Sequence, residues 1–296
     1  MQQQITVGTL IAFMAVVNRL FQAIHILFSL RLQLYSLRAS IIRIQELVGS
    51  EREPTTSTSE VNNSMMTDLT VESVTFEYDQ KIIFDKISFN IPIGATCLVT
   101  GPNGAGKSTL MEVLAGLQVP ISGKVTLGGR PLSEFPRELL RKNIAVVPQR
   151  PHIFDMTLLH NLVYSNELYE MTDVEKAMEI VGFKDDASRF TLKDLDSACG
   201  ATSRMPSGGE VHRVALVRAL LLRPKVLILD ETFSSLPLNS EEEILSKLRE
   251  FNTEMTIIVV SHRLSSLSNY SMIIKMNLAG KIECYDNSYN ESKIIE

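Results

Sequence analysis

The run Gly101-Pro102-Asn103-Gly104-Ala105-Gly106-Lys107-Ser108-Thr109 matches the phosphate-binding pattern G-x-x-x-x-G-K-[ST]. Glycines at 101, 104 and 106 let the backbone fold back, so that consecutive N–H groups and a helix N-terminus converge on one anionic centre. Lys107 can then reach the β- and γ-phosphates of a nucleotide, and the Ser108 hydroxyl can take a position on Mg²⁺. The bland alternative is a glycine-rich turn that caps a helix. The flanks argue against it: residues 95–100 read as a buried strand leading in, and residues 110–117 as an amphipathic helix leading out. The default reading is a nucleoside triphosphatase.

Further along, Val226, Leu227, Ile228 and Leu229 run into Asp230 and Glu231. Four apolar residues followed by two acids describe a buried parallel strand that delivers carboxylates at its C-terminal end. Adjacent carboxylates are usually a solvated strand end. Beside a phosphate loop, Asp230 suits the hold on Mg²⁺, and Glu231 suits the group that polarises an attacking water.

Ser207-Gly208-Gly209-Glu210 opens a helix that carries Val211, Val214, Ala215, Leu216, Ala219 and Leu220 and stops at Arg223-Pro224. Ser207 with Glu210 three residues on is a capping box. A helix N-terminus with two glycines and a hydroxyl is also an anion site, and both readings hold at once. Lying between the phosphate loop and the acidic strand, this stretch resembles the signature motif of ATP-binding cassette (ABC) proteins.

The resemblance implies that Ser207, Gly208, Gly209 and Glu210 close on the γ-phosphate held by the other cassette of a dimer. Tyr78 matches the aromatic residue that stacks on adenine, although a lone Tyr at a strand end more often packs. Gln149, after a strand over residues 143–147, matches the glutamine that senses Mg²⁺ and the membrane partner; beside Pro148 it otherwise reads as a turn residue. His262, closing a β-branched run over residues 256–262, matches the switch histidine on the γ-phosphate. The implied fold is α/β: a P-loop NTPase core with an antiparallel β subdomain and a helical insertion. The resemblance covers residues 67 to about 285. Two positions depart from the family pattern. Pro206 stands where Leu is common, which stiffens the approach to the signature helix. Pro237 stands where an Asp commonly crosses the dimer interface, which puts communication between two nucleotide sites in doubt.

Composition fits this reading. The 296 residues, 45% hydrophobic, allow a cassette with a large core plus an extension. Lys+Arg 29 against Asp+Glu 34 gives a net charge of −5. No basic block appears, so a nucleic-acid surface is not expected. Cys97, Cys199 and Cys284 form no close pair and read as reduced thiols. From residue 67 the expected order is two short strands, the phosphate loop, strands 124–127 and 143–147, and a helix-rich insertion near 157–222. The acidic strand, a helix capped at Ser240 and running to 251, the histidine strand and a hairpin around Ala279-Gly280 follow. No internal repeat is visible.

Residues 5–30 are apolar and long enough to span a bilayer, interrupted by Asn18, Arg19, Gln22 and His25. Hydropathy alone leaves a membrane span and an amphipathic soluble helix equally open, because a mid-span Arg19 is costly unless it faces protein or water. Resemblance favours the span: residues 5–13 look like the start of the last transmembrane helix of an exporter half, and residues 39–47 like its cytoplasmic end. A signal peptide is disfavoured, since residues 1–4 carry no positive side chain and no small-residue cleavage site follows. Arg31, Arg38 and Arg43 put the far end, and the cassette, on the cytoplasmic side. The expected organisation is a helix with its cytoplasmic extension over 1–48, a flexible linker over 49–66 and the cassette over 67–296. It points to the ATP-hydrolysing subunit of an exporter, using ATP and Mg²⁺, a second cassette and permease helices. The alternatives are a soluble ABC ATPase of assembly or repair whose first helix docks on a partner, and a regulatory subunit that does not hydrolyse.

Overall fold

The computed structural model describes residues 7–49, 68–78, 80–164, 169–183, 190–200, 205–262 and 267–286. The chain divides into two compact units, Met1–Pro54 and Thr55–Glu296.

The described residues of the first unit form one helix, α1 (Val7–Gly49), with no proline and no glycine between Gly8 and Gly49. The helix runs without a break from the apolar stretch through residues 39–47, because nothing in residues 31–38 breaks helical geometry. Residue 5 and most of the expected linker lie outside the described residues. Leu10–Gln45 is long and apolar enough to cross a membrane, with mean hydropathy 1.8. Asn18, Gln22, His25, Ser29, Gln33, Ser36, Ser40 and Arg43 follow one another at steps of three or four, which places them on one face, whereas Arg31 and Arg38 fall on the opposite one. Ser29, Ser36 and Ser40 return their hydroxyls to the carbonyls of Ile26, Gln33 and Ser36 at 2.8–3.1 Å, so these groups are satisfied within the helix.

In the second unit, β1 (Leu69–Tyr78) and β2 (Lys81–Ile91) form a hairpin whose strands are longer than expected. Register shifts along β1 and positive φ at Ser73 and Lys86 accommodate bulges, which sequence alternation alone hides. With β4 (Ser122–Leu127) and the short β5 (Arg130–Pro131) they make an antiparallel sheet of order β2-β1-β4-β5.

The core is a six-stranded sheet. It contains β3 (Thr96–Thr100), β6 (Ile144–Val147), β9 (Val226–Asp230), β10 (Thr256–Val260), β11 (Met272–Met276) and β12 (Ile282–Asp286), in the order β12-β11-β3-β10-β9-β6. Every pair from β11 to β6 is parallel, and β12 closes the edge antiparallel to β11 through a turn with Gly280 at φ 70°. β3 and β10 are buried at every residue, and β9 at all but Asp230, which explains their nearly continuous apolar sequences. Burying one Leu or Ile there contributes about 1.5–3 kcal/mol.

α2 (Lys107–Leu114) leaves the phosphate loop, and α3 (Arg137–Asn143) leads into β6. The insertion holds α4 (Leu158–Val163), α5 (Met171–Ile180) and α6 (Gly208–Leu221), plus a small pairing of β7 (Met156–Thr157) with β8 (Ala198–Cys199). The capping box of α6 is present as read: Ser207 N–H donates to Glu210 Oε2 at 2.8 Å, and Glu210 N–H to Ser207 Oγ at 3.4 Å. α7 (Leu238–Phe251) begins two residues before Ser240, directly after Pro237. Ser240 therefore is not its cap. Pro237, at φ −58°, leads straight into the first turn without a side-chain bond. Cys97 and Cys199 are buried and Cys284 is exposed, and none of the three is in a disulfide.

Candidate nucleotide-hydrolysis site

Parallel strands order the site. β3, β10, β9 and β6 are successive neighbours, and the loops leaving their C-terminal ends carry the phosphate loop, His262, the pair Asp230 and Glu231, and Gln149 respectively. Val260 lies opposite both Val99 and Asp230, and Val147 opposite Leu229, so the four strand ends are level. The C-terminal edge of such a sheet is where α/β folds bind ligands.

The loop from Gly101 to Gly106 needs its glycines. Gly101, Gly104 and Gly106 have φ of 146°, 81° and 91°. A Cβ on Gly101 would overlap the Met276 carbonyl oxygen, and one on Gly106 would overlap Ile83 of β2. That second contact seats the β1–β2 hairpin against the phosphate loop. Tyr78 stands at the tip of β1, 65% exposed and opposite Lys81, with its ring free of the core. Within the loop Pro102, Asn103 and Gly104 are exposed, Ala105 is buried, and Ser108 and Thr109 open α2.

Lys107 is buried, and its ammonium donates to the Gly101 and Pro102 carbonyls at 2.9 and 3.0 Å. Burial lowers its pKa from the ordinary 10.5, opposed by the charges of Glu231 and Asp230. Asp230 moves the other way, above its ordinary 3.8. Burial is the main cause, the neighbouring Glu231 adds to it, and the Ser108 hydroxyl bond and Lys107 oppose it. The Ser108–Asp230 pair, a hydroxyl and a carboxylate beside a phosphate cradle, is a hard oxygen donor set suited to Mg²⁺, which takes few protein ligands and completes its shell with water and phosphate.

Glu231 is held at both carboxylate oxygens. His262 Nε2 lies 2.9 Å from Oε1, and the Gln149 amide donates to Oε2. Its backbone sits at φ 49°, a left-handed conformation uncommon outside glycine. Glu231 N–H donates to the Val260 carbonyl at 3.1 Å, and the Ser234 N–H and hydroxyl return to the Glu231 carbonyl at 3.1 and 2.7 Å. An outlier held this firmly is the kind of strain that functional sites carry.

Lys107, Ser108, Gln149, Asp230, Glu231 and His262 thus form one constellation, as the sequence suggested. Ser207, Gly208, Gly209 and Glu210 form a second group at the start of α6. It packs on the turn after Glu231, where a Cβ on Gly209 would crowd Leu236 and the Ser235 carbonyl. Sequence reasoning missed the residue that ties the two groups together. His212 is buried, with Nδ1 3.0 Å from the Gly208 carbonyl and 2.9 Å from Ser235 Oγ, and Nε2 3.2 Å from the Gln149 carbonyl. The one available signal was a histidine among the apolar positions of α6.

The ABC transporter family matches residues 84–234. The ATP-dependent lipid A-core flippase of Photobacterium profundum is 36% identical over 210 residues, covering 70% of this chain and 36% of the flippase. The lactococcin-A transport/processing ATP-binding protein of Lactococcus lactis subsp. lactis is 33% identical over 285 residues, 95% of this chain and 39% of that protein. A solved bacterial Atm1-family ABC exporter with ATP bound aligns at TM-score 0.74 and 26% identity over 97% of this chain and 50% of that one. The chain therefore spans half or less of the length of these relatives. A family match covering half of the chain, from the β1–β2 hairpin through the phosphate loop and the acidic strand, shows that this chain belongs to the ABC transporter family, whose cassette binds ATP.

Proposed function

We propose that the chain is the ATP-hydrolysing subunit of an ABC exporter, with α1 as the last transmembrane helix of its permease and the cassette on the cytoplasmic side. The observation that carries the reading is Glu231, gripped at both oxygens by Gln149 and His262, next to the Ser108–Asp230 pair. Lys107 exchanges the Gly101 and Pro102 carbonyls for β- and γ-phosphate oxygens, and the loop N–H groups complete the cradle. Tyr78, at the tip of the hairpin seated on that loop, stacks on adenine. Mg²⁺, held by Ser108 and Asp230 with Gln149 nearby, supplies charge withdrawal from the phosphates when bound.

Glu231 takes the proton of the attacking water. His262 and Gln149 limit its rotation, so that the free lone pair stays aimed. Ser207, Gly208 and Gly209, with Glu210 fixing the turn, present the α6 N-terminus to the γ-phosphate held by a second cassette. The polar face of α1, with Arg19 beside it, packs on permease helices or lines a polar path, because such groups do not face lipid. A transport/processing relative and a solved ABC exporter, each aligned over nearly the whole chain, support this assignment over a soluble ATPase. Fractionation tests it. The full chain is expected to resist alkaline carbonate extraction from membranes and to release phosphate from Mg-ATP. Recovery of the full chain in the soluble fraction without detergent would overturn the exporter assignment and leave the soluble-ATPase reading.

A further inference from the structure

We infer that His212 is a positioning residue for Glu231, acting through both segments that hold the glutamate. A buried imidazole needs partners for both ring nitrogens, and here they come from two other parts of the chain. With hydrogen on Nε2, the ring donates to the Gln149 carbonyl and accepts the Ser235 hydroxyl at Nδ1; the Gly208 carbonyl, 3.0 Å from Nδ1, is then a contact without a hydrogen bond. The Gln149 amide that touches Glu231 Oε2 belongs to the same residue whose backbone the ring holds. Ser235 lies four residues beyond Glu231, in the turn whose carbonyl and hydroxyl bonds keep Glu231 at φ 49°.

His212 therefore fixes the carboxylate's side-chain partner from one side and its backbone turn from the other. Its own backbone is in the second turn of α6, so a displacement of the Gln149 turn reaches Glu231 and the start of the signature helix together. The ring makes none of the contacts that hold nucleotide in the account above, so its loss acts on turnover and not on ATP binding. This inference rests on the reading of Glu231 as the group that activates water.

The test compares steady-state ATP hydrolysis by the full chain, in its native complex where turnover requires one, for wild type, His212→Leu, His212→Gln, Ser235→Ala and the Glu231→Gln control. Leu removes both bonds at similar volume. Gln restores one donor and one acceptor. His212→Leu is expected to lower kcat about tenfold or more, with KM for ATP within about twofold, the signature of lost transition-state positioning. His212→Gln is expected to recover to within about threefold of wild type, and Ser235→Ala to fall by about three- to tenfold. The double variant His212→Leu/Ser235→Ala falls no further than His212→Leu, because the one bond that Ser235→Ala breaks is already lost in His212→Leu.

Wild-type kcat in His212→Leu overturns the inference, as does a loss expressed in KM or a His212→Gln variant as slow as His212→Leu. If His212→Leu does not fold, Ser235→Ala decides, since Ser235 is exposed and the change removes only one hydroxyl; wild-type kcat there overturns the inference. Full turnover by the Glu231→Gln control defeats the underlying assignment instead.

Discussion

Asp230 is predicted to weaken the empty cassette that it equips for Mg-ATP. Its folded pKa lies above 3.8, chiefly through burial, with Glu231 next to it. The sign follows: the fold favours the protonated form, so the associated stability is present at acid pH and is lost as pH rises through the folded value. Asp230→Asn removes that charge while its amide oxygen still accepts the Ser108 hydroxyl, retaining a bond of about 1 kcal/mol. The screened attraction to Lys107 is lost, and the larger burial cost and the repulsion by Glu231 are relieved. Discounted for solvent screening at a half-buried carboxylate, a net gain of about 1 kcal/mol corresponds to a rise of roughly 2–4 °C in Tm for a domain of this size. Ligand has the opposite effect. ATP at 100 times its Kd stabilises wild type by about 2.7 kcal/mol, and a tenfold weaker affinity removes about 1.4 kcal/mol of that. The assay is thermal unfolding of the full chain in detergent at pH 4 to 8, with and without Mg-ATP. Asp230→Asn is expected to melt higher than wild type without nucleotide, by a margin that grows from acid to neutral pH, and to gain less from Mg-ATP. A lower Tm for the nucleotide-free variant at neutral pH would refute the reasoning, because attraction to Lys107 would then outweigh burial.

Lys107→Ala is predicted to lose ATP binding outright, measured by nucleotide titration, since it removes the cation from the phosphate cradle; wild-type affinity would contradict this. Gly101→Ala is expected to lower Tm and abolish ATP binding, because its Cβ meets the Met276 carbonyl at φ 146°, and an unchanged Tm would remove that account. Removing residues 1–48 is expected to give a cassette that stays in solution without detergent and still binds ATP, checked by size exclusion and titration; insolubility would count against the independence of the two units. With Pro237 at the position of the interfacial Asp, ATP is expected to drive dimerisation with a Hill coefficient for hydrolysis of about one, and steep cooperativity of a purified homodimer would refute it.

Residues 101–109 and 226–231 are legible in the sequence because their chemistry is local: backbone N–H groups and two consecutive carboxylates need only a few residues at fixed spacing. Gln149 and His262 are legible by their order along the chain. Their meeting on opposite oxygens of Glu231 is not, since it depends on β6, β9 and β10 being neighbours. His212 was invisible for a similar reason: its partners lie 63 and 23 positions away. The positive φ at Glu231 has no sequence marker, because nothing but glycine announces that conformation. The start of α7 was misplaced because a serine with an acidic residue nearby imitates a cap, whereas Pro237 sets the entry.

The measurement closest to the central claim is single-turnover hydrolysis of Mg-ATP by Glu231→Gln beside wild type. The substitution keeps the shape and can retain the Gln149 and His262 contacts in part, but it removes the group that accepts the water's proton. The account predicts wild-type ATP binding with hydrolysis slowed by about 10² to 10⁴. Hydrolysis at the wild-type rate would show that another group activates the water, and the role given to Glu231 would be wrong.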